Sequence, residues 1–249
     1  MQCDDPRACV LIPARYASSR YPGKPLVPLL GKSMVRWVAE RSARAVGQDH
    51  VYVATEDERI ANEVKQAGFR ALMTSSSALT GTDRLAEAAQ QVDYDIYVNV
   101  QGDEPMVDPA DIRQCIETKS RYPDRVVNGY CWVGEDEDPA NVNLPKVITN
   151  EQDELVYMSR AALPAFKEPK NAPGRYKKQV CIYGFSRSEL EAFAGFGRKS
   201  ELEAAEDIEI LRFFELGCSV HMIECHPGLA VDVPDDVARV EAAMQRQSK

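Results

Sequence analysis

Residues able to do chemistry concentrate in one loop. Arg15-Tyr16-Ala17-Ser18-Ser19-Arg20-Tyr21-Pro22-Gly23-Lys24-Pro25-Leu26 sets three cations, Arg15, Arg20 and Lys24, within ten residues. Ser18, Ser19 and Gly23 are small, so backbone N–H groups there can come close to a ligand. A guanidinium offers a bidentate fork for phosphate oxygens, and an ammonium adds a compact mobile charge. The pattern suits a polyphosphate. The loop contains neither G-x-x-x-x-G-K-[ST] nor G-x-G-x-x-G, which sets aside the P-loop and dinucleotide readings.

Polyphosphate chemistry usually recruits Mg²⁺, a hard cation that wants oxygen ligands. Asp103, in Gln101-Gly102-Asp103-Glu104-Pro105, and Asp232, in Ala230-Val231-Asp232-Val233-Pro234, are placed to hold it. Each has a plainer reading, an exposed turn for the first and a helix cap for the second, although Asp235 or Asp236 can take the cap. Thr80-Gly81-Thr82-Asp83-Arg84 reads as a helix start with Thr82 or Asp83 as its cap, and Gly81 leaves room for a nucleobase. Glu203, Glu206 and Glu209 recur at helical spacing and, on spacing alone, read as a solvated helix face.

These residues need elements to hold them, and the hydropathy pattern supplies an alternation. Short apolar strands are expected at 8–12, 50–54, 69–73 and 95–100, with helices at 35–46, 58–67 and 83–92 between them. That rhythm predicts βαβ units and a mostly parallel sheet. The basic loop and Asp103 then follow strands at their carboxyl ends, where open α/β sheets bind ligands. From about Val126 the rhythm changes to strands at 126–133, 146–149 and 178–185 among Asp-, Asn- and Pro-rich loops. Residues 167–175 read as an exposed connection. A helix over about 202–216, a strand over 219–224 and a final helix over about 235–245 complete the expectation.

Composition sets the outer bounds. The 249 residues carry 30 Lys+Arg against 39 Asp+Glu, a net charge of −9 that argues against coating nucleic acid or an anionic membrane. No stretch approaches the roughly 20 apolar residues of a membrane span, and the acidic N-terminus does not read as a signal peptide. Seven cysteines without a C-x-x-C pair, and three scattered histidines, argue for reduced thiols in a cytoplasm rather than disulfides or zinc.

Several blocks together resemble one family. Leu11-Ile12-Pro13-Ala14-Arg15 continuing to Pro22-Gly23-Lys24-Pro25-Leu26 is similar to the N-terminal signature of the CMP-sugar synthetases that activate 3-deoxy-D-manno-octulosonate (KDO). Gly81-Thr82-Asp83-Arg84, Asn99-Val100-Gln101-Gly102-Asp103-Glu104-Pro105, Ser159-Arg160, Ile182-Tyr183-Gly184-Phe185 and Val231-Asp232-Val233-Pro234-Asp235-Asp236 extend the resemblance over nearly the whole chain. It implies a cytidylyltransferase that joins CTP to a 2-keto-3-deoxy sugar acid and releases pyrophosphate. It also implies a single domain over 1–249 with a Rossmann-like nucleotidyltransferase core, a mostly parallel mixed sheet and a β-rich excursion over 126–190. That excursion would bind sugar and form a homodimer. By the same resemblance Arg15 and Lys24 bind the triphosphate, and Asp103 and Asp232 coordinate Mg²⁺. Ser18, Arg84, Gln101, Gln179, Tyr183, Glu206 and Glu209 contact substrate.

Two departures fall on the sugar side. The KDO enzymes usually show a His before the Ile-Tyr-Gly segment, where this chain has Lys178-Gln179-Val180-Cys181. Their later helix usually reads Glu-Gln-Leu-Arg, where this chain has Glu209-Ile210-Leu211-Arg212. Both changes alter the hydrogen bonds offered to sugar hydroxyls. The neighbouring readings are a CMP-nonulosonic acid synthetase and a nucleotidyltransferase acting on a sugar 1-phosphate.

Overall fold

The computed structural model describes residues 6–18 and 21–247; Ser19 and Arg20 of the basic loop lie outside the described residues. The first half alternates as the hydropathy requires. The strand β1 (Ala8–Pro13) is followed by the short strands β2 (Pro28–Leu29) and β3 (Lys32–Ser33), then the helix α1 (Met34–Val46). Next come β4 (Val51–Thr55), α2 (Glu58–Gln66), β5 (Arg70–Met73), α3 (Gly81–Ala89), β6 (Ile96–Val100) and α4 (Pro109–Arg121). The second half holds β7 (Val126–Trp132), β8 (Lys146–Thr149), β9 (Leu155–Ser159), β10 (Lys177–Phe185) and α5 (Arg187–Gly195). It closes with α6 (Glu201–Glu206), α7 (Ile210–Glu215), β11 (Val220–Glu224) and α8 (Asp236–Gln247).

The central sheet runs β11-β7-β10-β6-β1-β4-β5. Every pairing along it is parallel except the two made by β10, which is antiparallel to β6 and β7. A mostly parallel sheet must be covered on both faces, and alternate residues of β1 show how. Cys9 and Leu11 enter one core with α3, α5 and α7, while Val10 and Ile12 enter another with α1, α2 and α4. A third cluster, Leu29, Met34, Val231, Val240 and Met244, docks α8 across the carboxyl ends of the strands.

The structure redraws several expected elements. Strands β7 and β10 sit inside the main sheet, so the segment that leaves it is 133–176, with β8 paired to β10 and to β9. The helix expected over 202–216 is two helices. Asp207 adopts a left-handed conformation (φ 50°) between them, and Arg160 takes up the broken end by donating to the Glu206 and Asp207 carbonyls. The cap of α3 is Thr80, not Thr82 or Asp83: its hydroxyl accepts the Asp83 N–H at 3.1 Å, and Asp83 is buried. Two helices carried legible signals that the hydropathy reading passed over. In α4, Asp108 caps ahead of Pro109 at the first helical position, and α5 opens with a capping box from Ser186 and Glu189.

Candidate active site

The carboxyl ends of β1 and β6, paired in parallel, deliver the two key turns side by side. The turn after β6 packs so closely beneath β1 that a Cβ on Gly102 would lie 2.8 Å from the Pro13 carbonyl oxygen. No side chain fits there, which is why this turn needs glycine. The chain then returns from the far end of the sequence: the Val231 N–H donates to the Asp103 carbonyl at 3.1 Å. Asp236, at the head of α8, accepts the N–H groups of Asp232 and Val233 at 2.9 and 3.0 Å. Asp103 and Asp232, 129 residues apart in sequence (232 − 103), are thereby brought within reach of one ammonium.

Lys24 lies between them. Its ammonium is 2.5 Å from Asp103 Oδ2 and 3.9 Å from Asp232 Oδ1. The loop that carries it is closed by the Gly23 N–H donating to the Tyr16 carbonyl at 2.9 Å, with Gly23 in the left-handed region (φ 72°). Glu104 joins the cluster. Burial, then the charges of Asp103 and Asp232, push its carboxyl up to about 8, while Lys178 and Lys24 work against the shift. Two carboxylates, Asp103 and Asp232, share one ammonium, and a site with that excess of negative charge attracts cations. Among the described residues no group of three or more His, Cys, Asp or Glu gathers to hold a metal alone. Mg²⁺ sites that work on phosphates commonly use one or two carboxylates and leave the remaining positions to waters and substrate oxygens. Asp103 and Asp232, both oxygen donors, fit that requirement.

The remaining expected residues divide into two sets. Gln101 sits beside Gly81, where a Cβ would lie 3.6 Å from Gln101 Nε2 and 3.6 Å from Pro13 Cγ. Glu209 reaches the same place and accepts from Gly81 N–H, Thr82 N–H and Thr82 Oγ1 at 3.2, 2.8 and 2.6 Å. A carboxylate at a helix N-terminus satisfies donors that the helix leaves unpaired. Gln179 Nε2 donates to Tyr183 Oη at 3.1 Å and to Asn128 Oδ1 at 3.2 Å, lining one face of β10. Burial raises the Tyr183 phenol well above its usual range, with Cys181, Glu209 and Glu104 adding to it, so Tyr183 stays neutral and able to donate. Arg15 is exposed above the loop, and Ser18 Oγ accepts the Tyr21 N–H at 3.3 Å.

Two residues point elsewhere. Arg84 is buried and turned to Glu56 at 2.9 Å, and Glu206 accepts from Ser159 Oγ and Arg160 N–H at 2.6 and 2.9 Å. The solvated acidic face does not exist either. Glu203 is 0% exposed and bound to Arg212, Glu206 faces β9, and Glu209 caps α3. Glu203 and Glu206, three residues apart on α6, turn to different buried partners, and the break at Asp207 sends Glu209 to a third place, which spacing along one continuous helix cannot anticipate. Sequence reasoning also missed Glu56 and Glu104. Glu104 had a signal, its position beside Asp103; Glu56 had none.

Comparison with known proteins follows the geometry. The cytidylyltransferase family profile matches residues 9–221. The chain is 37% identical over 243 residues to the 3-deoxy-manno-octulosonate cytidylyltransferase of Escherichia coli, covering 97% of both chains. It is 39% identical over 243 residues to the 8-amino-3,8-dideoxy-manno-octulosonate cytidylyltransferase of Shewanella oneidensis, covering 93% of this chain and 96% of that one. A solved CMP:2-keto-3-deoxy-manno-octonic acid synthetase in complex with CTP superposes with a TM-score of 0.89 at 35% identity, covering 97% of this chain and 99% of that one.

Proposed function

The chain belongs to the cytidylyltransferase family, and from that premise we propose that it transfers CMP from CTP to a 2-keto-3-deoxy-octulosonic acid, releasing pyrophosphate. The observation that carries the assignment to a site is the Lys24–Asp103–Asp232 cluster at the carboxyl ends of β1 and β6. In the reaction, the anomeric C2 hydroxyl of the sugar acid attacks the α-phosphorus of CTP in line. The new bond is O–Pα, the bond broken joins Pα to the bridging oxygen, and the hydroxyl proton leaves to solvent.

The chain's own residues act on charge and position. Lys24 and Arg15 offset the negative charge that grows on the departing pyrophosphate, the electrostatic term that is commonly the largest in such transfers. Asp103 and Asp232 would hold Mg²⁺, which when bound draws charge off the phosphate oxygens and acidifies a nearby hydroxyl. The Gly81 backbone leaves space for the cytosine ring beside Pro13 and Gln101. Gln179 and Tyr183 supply neutral donors for sugar hydroxyls on β10. Arg84 supports the site from beneath rather than by touching substrate, because its guanidinium is already engaged.

No helix among the described residues is long and apolar enough to cross a membrane. The exposed apolar residues Val142 and Val156 on the 133–176 arm support its use as the contact face of a homodimer. Pyrophosphate release tests the function with CTP, Mg²⁺ and four acceptors: KDO, its 8-amino analogue, a nonulosonic acid and a hexose 1-phosphate. Release with either octulosonic acid is expected. Release with the sugar 1-phosphate alone overturns the reading.

A further inference from the structure

The turn after β4 grips the basic loop from beneath. Glu56 Oε1 accepts the backbone N–H of Tyr16, the residue next to Arg15, at 3.0 Å. Its other oxygen faces the Arg84 guanidinium at 2.9 Å, with the two side chains only 15% and 5% exposed. The same guanidinium nitrogen donates to Thr74 Oγ1 at 2.6 Å, so the contact also ties the head of α3 to the segment after β5. Three residues beyond Glu56, Arg59 lies 3.4 Å from the centroid of the Tyr16 ring, steered there by a two-pronged contact with Asp57 at 2.9 and 2.6 Å. The Tyr16 ring also lies against Gly23, where a Cβ would stand 3.2 Å from it. Tyr16 is therefore held at its N–H, its carbonyl and its ring, and along the chain it sits between Arg15 and Lys24.

We propose that Glu56 is a positioning residue for nucleotidyl transfer: by holding the Tyr16 backbone it fixes Arg15 and Lys24 in the arrangement that receives the triphosphate. The inference rests on the CTP-dependent reading above. An acidic residue beneath an anion-binding loop is unfavourable unless its charge is cancelled, and the buried Arg84 cancels it. This explains why Arg84 faces Glu56. A contact that orders one or two loop residues before the ligand arrives is worth roughly ten- to a hundredfold in affinity.

The test is calorimetric titration of CTP and of CMP, with the full chain, on wild type, Glu56→Ala and Glu56→Gln. CMP lacks the β- and γ-phosphates, so it makes less use of the two cations. Glu56→Ala is expected to weaken CTP by roughly ten- to a hundredfold and CMP by less than about threefold. Glu56→Gln, which keeps an amide oxygen for the Tyr16 N–H, is expected to recover most of the loss. Equal weakening of CTP and CMP, or no change in either, overturns the proposal, because a merely structural role does not move the CTP/CMP ratio. If Glu56→Ala fails to fold because Arg84 loses its counter-charge, the double variant Glu56→Ala/Arg84→Met decides in its place: a CTP/CMP affinity ratio lowered from wild type supports the proposal and an unchanged one refutes it. Wild type that binds no CTP overturns the functional reading and this inference with it; wild type that binds CTP while the ratio stays constant overturns only the inference.

Discussion

Arg212 offers the most quantitative test of how α3 is held. Its side chain is fully buried. Nε and Nη2 reach Glu203 at 2.7 and 2.8 Å, while Nη1 reaches Asp83 at 2.8 Å and the Phe193 carbonyl at 3.2 Å. The guanidinium also lies 3.7 Å from the Phe193 ring centroid. Arg212→Met keeps much of the volume and removes every donor, leaving the Glu203 and Asp83 carboxylates inside the protein without a cation. Breaking a buried ion pair from one side costs about 3–5 kcal/mol, chiefly through the charge left behind. For a chain of this size each kcal/mol moves the melting midpoint by about 2–4 °C, so the expected fall is roughly 6–20 °C. Arg212→Lys should fall between, since a point charge cannot fork to two carboxylates. Differential scanning calorimetry at pH 7 reads the shift. A fall of less than about 3 °C for Arg212→Met refutes the reasoning, because it means that the two carboxylates take up a proton or reach water at little cost.

The other expectations concern the site. Lys24→Ala and Asp103→Asn should each lower the turnover rate by roughly 10²–10³, by analogy with the loss of one preorganised contact; steady-state pyrophosphate release checks this, and near-wild-type turnover removes the role assigned to that residue. Gly102→Ala should lower both activity and melting midpoint, since its Cβ would stand 2.8 Å from the Pro13 carbonyl; unchanged values would mean that the turn after β6 can move away from β1. Glu104 gives a pH signature without nucleotide or metal. With its carboxyl raised to about 8, the folded chain binds more protons than the unfolded one between about pH 4.5 and 8, so stability should fall as pH rises through that window. Glu104→Gln should flatten that dependence in thermal melts, and an unaltered slope would count against the cluster.

The residues themselves determined a good deal. Apolar runs at the strand period and amphipathic stretches at the helix period produced the β1-to-β6 alternation, because a parallel sheet covered on both faces leaves that mark locally. The basic loop and the two aspartates stood out as candidates for a similar reason: few residue types can manage a polyphosphate and a dication. Three things lay beyond that reach. Strands β7 and β10 look alike in sequence to the arm strands β8 and β9, and only pairing with β6 puts them in the main sheet. The spacing of Glu203, Glu206 and Glu209 predicts one wet face, but packing turns Glu203 to Arg212 and Glu206 to Ser159 from the same helix, and a left-handed Asp207 then diverts Glu209 to the head of α3. Glu56 and Arg84 acquire a purpose only where the turn after β4 passes under the loop after β1. Local propensity is written residue by residue, whereas the partners of a buried charge are chosen by how distant segments pack, and no window along the chain contains both halves of that choice.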